Sequence, residues 1–116
     1  MDDVIAACES REERLIRLHP DQFAPDFLDW WRDNRHIWRA FDAAAEQLAR
    51  NGVEHFGARA IGEHIRFETA LRERGGDFKV NDHAWPDCAR LWLLMHPSYP
   101  RFFETRAQRN SSKRAA

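Results

Sequence analysis

A chain of 116 residues, with 18 Lys and Arg against 19 Asp and Glu, fits one compact domain. At that length roughly two-thirds of the unfolded surface can be buried, so the core needs no disulfide or metal staple. The 32% of charged residues are mixed in sign, which excludes a disordered polyelectrolyte, and no apolar run reaches the ~18 residues of a bilayer span.

The near-neutral balance hides an asymmetry. Residues 1–52 hold 7 basic and 11 acidic side chains, and residues 53–116 hold 11 basic and 8 acidic ones. The basic excess gathers at the end, where Arg101, Arg106, Arg109, Lys113 and Arg114 face only Glu104. Such an end suits a phosphate backbone or an acidic protein, or serves only as a solubilising tail. The opening MDDVIAACESREER is acidic and lacks the basic and apolar regions of a secretory signal, so the expected compartment is the cytoplasm, with no membrane partner. Cys8 and Cys88 are far apart and form no CxxC, so they read as reduced, buried thiols.

In chain order, a first helix is predicted over residues 2–18 from Val4, Ile5, Cys8, Leu15, Ile16 and Leu18, stopped by His19 and Pro20. Pro25 opens a short helix crowded with Phe27, Leu28, Trp30 and Trp31. Asn34 is placed as the N-cap of a helix over 35–50, whose Ile37, Trp38, Phe41, Ala44, Ala45 and Leu48 make one apolar face. Asn51 and Gly52 stop it, since glycine takes positive φ without penalty. A further helix covers 58–74, with Ile61, Ile65, Phe67 and Leu71 on its buried side, ended by Gly75 and Gly76. Residues 78–80 alternate as a short strand, and Asn81 and Asp82 turn. Pro86 stands in the first turn of a last helix carrying Cys88, Leu91, Trp92 and Met95, which ends at His96 and Pro97. Residues 100–106 read as a second strand. The expected fold is therefore mainly α: a compact helical domain of about five helices with a short two-stranded β-ribbon, winged-helix-like in outline. Residues 1–24 form an N-terminal helix and linker, 25–106 the core domain, and 107–116 a basic flexible tail.

No catalytic constellation stands out. The sequence has no GxSxG, no P-loop, no GxGxxG and no HExxH, so no catalytic residue, metal site or cofactor is assigned and no enzyme is expected. His64 and Glu68 share a helix face, and His83 and His96 flank the last helix, but neither arrangement is metal-specific. Cys88 lies near a helix start, where a thiol can be activated, yet in register with Leu91, Trp92 and Met95, which reads as core. The aromatic residues carry more information. Trp30 and Trp31 are adjacent and point about 100° apart on a helix, so both rarely enter one core, and Trp85 stands in a polar turn before Pro86. Trp30, Trp31 and Trp85 are thus the candidate protein-binding anchors, because exposed Trp concentrates binding energy.

The segments FGARAI (56–61), IRF (65–67), FKVN (78–81), CARL (88–91), His96 with Pro97, and FFETR (102–106) together resemble a family of small bacteriophage and prophage proteins, over roughly residues 27–106. The resemblance implies a phage or prophage setting and a helical domain with a short ribbon. It implies no activity and transfers no site residue. This chain departs from the pattern at Asn81, Asp82 and His83, where a run of asparagines is expected, and at Trp85 and Pro86, where a small or hydroxyl residue is expected.

Two functions follow. The first is non-enzymatic protein binding, as a regulator or inhibitor of a partner protein; under either function a homodimer can exchange the 2–18 segment. The alternative is DNA binding through Lys79, Asn81, His83, Arg90, Arg101 and Arg106, which would contact phosphate from a basic ribbon and tail. Against the alternative, the connector over 75–85 is much longer than a helix-turn-helix turn, and the last helix offers only Arg90 to a base.

Overall fold

Among the described residues, the first helix opens at Ser10. In the computed structural model, which describes residues 9–72 and 84–105, Ser10 is extended (φ -72°, ψ 165°), and its hydroxyl accepts from the Glu13 backbone N–H at 3.1 Å. The Glu13 carboxylate in turn accepts from the Ser10 N–H at 3.3 Å, closing a reciprocal capping box worth about 1 kcal/mol. The first described helix, α1, therefore spans Arg11–Leu18, and the extended Ser10 breaks the helix expected over 2–18. The part of the expected helix over 2–8, with Cys8, lies outside the described residues. Glu13 is buried, and its carboxylate also accepts from Arg32 Nε at 2.9 Å. Burial pushes this carboxyl up, but the bonds from Arg32 and Ser10 outweigh it and hold the group below its ordinary range.

Helix α2 (Phe27–Asp33) and helix α3 (Arg35–Arg50) meet at Asn34. The Asn34 carbonyl accepts from the N–H groups of Ile37 and Trp38 at 3.0 and 3.1 Å, starting α3 as expected. Its side chain does a different job from the expected one. The amide makes no cap bond to α3 and instead donates backwards to the Trp30 carbonyl at 2.9 Å, closing α2. At the far end of α3, Gly52 has φ +89° and its N–H reaches the Ala49 carbonyl, while the Val53 N–H reaches that of Leu48. These are the paired bonds of a Schellman stop, and they need the backbone freedom of glycine. Between its two ends α3 buries Ile37, Trp38, Phe41, Ala45 and Ala49 on one face.

Helix α4 (Ala58–Arg72) buries only Ile61, Gly62 and Ile65. Helix α5 (Ala84–Met95) is buried along most of its length and contacts each of the four others. Trp85, expected in an exposed turn, is inside α5 and only 1% exposed, because its indole packs directly against Gly62 of α4. A methyl group at position 62 would overlap that ring, so glycine here is a packing requirement.

Residues 100–105 are turn and coil, and no strand occurs among the described residues. The 78–80 half of the expected ribbon lies outside them. The aromatic pair Phe102 and Phe103 enters the core from this turn, at 2% and 3% exposure, edge-on to each other and against Trp92. The Phe102 carbonyl is satisfied by the Phe56 N–H at 3.0 Å, which lets irregular backbone run beside the core. A stack of Trp38, Phe41 and Trp85, with Phe103 at 5.4 Å from Phe41, fills the centre. Trp38 Nε1 donates to Glu12 of α1, whereas the Nε1 groups of Trp31, Trp85 and Trp92 are buried with no partner among the described residues. No helix among the described residues is long and apolar enough to cross a membrane.

Candidate functional site

The outer face of α4 is where apolar side chains remain in water. Phe67 and Leu71 are 63% and 64% exposed, four residues apart on one side of the helix, with Ala60 and His64 continuing the stripe. Sequence periodicity places both side chains on the buried side. The structure instead assigns that side to Ile61 and Ile65, and a single 15-residue helix cannot turn all four inward. On either flank of the stripe stand Glu63 and Glu68, both exposed. Glu63 is near Arg66 at 3.9 Å, and Glu68 is near His64 at 3.8 Å. Beside the stripe runs a groove between α3 and α4, with two adjoining hollows of about 420 and 340 Å³. Ala44, Gln47 and His64 line both, and Ala40 and Ala43 extend the floor. Small side chains on that floor permit another backbone to approach closely.

The candidate anchors fare differently. Trp31 (3% exposed) and Trp85 are core residues and offer no surface to a partner. Trp30 is half-buried and stacked on Phe27 at 5.7 Å, so it offers a partner only part of its surface. Of the candidate nucleic-acid contacts, Lys79, Asn81, His83 and Arg106 lie outside the described residues. Arg90 is held by Asp87 at 2.7 Å, with only 14% of its side chain exposed. Asp87 is itself buried and accepts the Ala24 N–H at 3.1 Å, tying the α1–α2 connection to α5. Burial pushes the Asp87 carboxyl above its ordinary range, against the opposing pull of Ala24 and Arg90. Arg90 therefore serves the fold. Arg101 is exposed in the turn after α5. Cys88 is fully buried, and that burial, with Asp87 beside it, pushes the thiol well up, so it is held protonated as core.

A second cluster escaped sequence reasoning. His96, just past α5, faces Asp42 and Glu46 of α3. His96 Nε2 is 2.7 Å from Asp42 Oδ1 and 4.0 Å from Glu46 Oε2, and all three side chains are 20–29% exposed. The i, i+4 spacing of the two carboxylates was visible, but the histidine comes from the other end of the chain. The Phe67 and Leu71 stripe had a signal as well: an apolar residue at 67 and 71 exceeds what a face already carrying 58, 61, 62 and 65 can hold. Among known protein families, curated proteins and solved structures, no match to this chain is found.

Proposed function

We propose that this protein acts without catalysis, by docking an amphipathic helix of a partner protein on the outer face of α4 and the adjoining α3–α4 groove. The observation that carries the reading is the pair Phe67 and Leu71, nearly two-thirds exposed on a helix whose opposite side is fully packed. The rim decides the chemistry of the partner. Glu63 and Glu68 flank the stripe on both sides, so a helix with Lys or Arg beside its apolar face is complementary. A regulator or inhibitor working in the cytoplasm, in the phage or prophage setting that the motifs resemble, fits this behaviour. The DNA-binding alternative loses Arg90 to Asp87 and loses its ribbon over 100–105, so it is not preferred.

The test uses two synthetic helical peptides with the same Leu face, one rimmed with Lys and Arg and the other with Glu, titrated by fluorescence anisotropy. The basic-rimmed peptide is expected to bind, and F67Q/L71Q to weaken it by ~10-fold or more. Equal binding of both peptides, binding of neither, dimerisation of the chain through this face, or salt-dependent duplex DNA binding in its place would each overturn the reading.

A further inference from the structure

The geometry points to a divalent transition-metal site formed by Asp42, Glu46 and His96, which takes a zinc- or manganese-type ion. Three features beyond the presence of acidic groups support it. First, the donor set is mixed, with one imidazole nitrogen and two carboxylates from two different elements, and the three ligand atoms lie within 4.8 Å of one another. Two atoms bonded to one ion at about 2.0–2.2 Å stand roughly 3–3.6 Å apart, so side-chain rotation must draw Glu46 Oε2, now 4.0 Å from Nε2, inward and open the 2.7 Å Nε2–Oδ1 contact. Second, the ring is pre-aimed. His96 stacks on Trp92 at 4.3 Å and 28°, and its backbone N–H is fixed to the Trp92 carbonyl at 2.9 Å. Nε2 is thereby turned toward α3. Third, Glu46 is oriented from behind. Arg50 engages Oε1 through an ion pair of 2.6 Å, which leaves Oε2 facing the imidazole. Holding a ligating carboxylate by its outer oxygen is what outer partners of metal ligands do.

The imidazole selects the ion class. Hard cations such as calcium and magnesium prefer six or more oxygens, whereas nitrogen with two carboxylates suits zinc, manganese or cobalt. In the metal-free protein the short Nε2–Oδ1 contact is a hydrogen bond donated to Asp42. Metal binding replaces it: the imidazole proton resides on Nδ1, Nε2 gives its lone pair to the ion, and an imidazolium would release one proton to solvent. With three protein ligands, the remaining positions belong to water.

The experiment is isothermal titration of the full chain, freed of metal by chelation, with zinc chloride, beside cobalt(II) absorption spectroscopy. One ion per chain is expected, with a rise in the thermal midpoint that tracks zinc concentration. H96Q is expected to weaken binding by more than ~100-fold and to abolish the cobalt ligand-field band, and R50Q, which leaves all three ligands, by ~10-fold. H55Q, at an exposed histidine between α3 and α4, should bind as the parent does. Circular dichroism confirms that H96Q is folded; if it is not, D42N and R50Q carry the comparison. Absence of stoichiometric binding, or binding undiminished in H96Q or in D42N, would overturn the assignment.

Discussion

Helices α3 and α4 lie side by side and are nearly equal in length, yet they spend their apolar residues differently. In α3, Ile37, Trp38, Phe41, Ala45 and Ala49 all reach the core, and its polar residues face out. In α4, Ile61, Gly62 and Ile65 suffice for packing, and Phe67 and Leu71 are left over. The apolar content of α3 is accounted for by its own fold. That of α4 is not, and a large exposed pair on an otherwise well-packed helix is the signature of a surface reserved for something else.

The comparison can be broken first at α3. Phe41 has no exposed surface and touches Trp38, Trp85 and Phe103. F41A should cost about 3–5 kcal/mol by chemical denaturation, because the transfer term and the cavity term add. A loss under 1 kcal/mol would show that the aromatic stack is not the organising core. Next comes the joint between α4 and α5. G62A should cost about 1–3 kcal/mol, although alanine is the better helix former, since the Trp85 indole occupies the space its methyl group needs. An unchanged or raised melting temperature would mean that Trp85 moves aside freely, and that its burial is incidental.

Much of the helical frame was legible in the sequence. The α3 boundaries follow from apolar spacing between Asn34 and the Asn51 and Gly52 stop, and His19 with Pro20 and His96 with Pro97 end α1 and α5 as expected. These are local signals, set by dihedral preferences and periodicity within a few residues. What failed depended on other parts of the chain. Ser10 and Glu13 spell a capping box that was legible and overlooked, because apolar residues at 4, 5 and 8 suggested one continuous helix. Phe102 and Phe103 are consecutive, so a strand would send them to opposite faces, but the core they fill belongs to Trp92 and Phe41, and a turn delivers both rings at once. Trp85 reads as a surface candidate because it stands in a polar turn before Pro86. The clue to its burial stood 23 positions away, in a glycine in mid-helix that only a close neighbour explains. Of the candidate site, the Asp42 and Glu46 pair was readable and its third member was not, because closing it requires knowing that α5 ends beside the middle of α3.

The central claim is that the outer face of α4 is surplus to folding. Equilibrium urea unfolding of F67Q/L71Q measures this directly, since glutamine keeps helix propensity and removes only the apolar surface. The account predicts a stability within about 1 kcal/mol of the parent chain for the two substitutions together. A loss of 3 kcal/mol or more would contradict it, because Phe67 and Leu71 would then be packed within this chain and not held out for a partner.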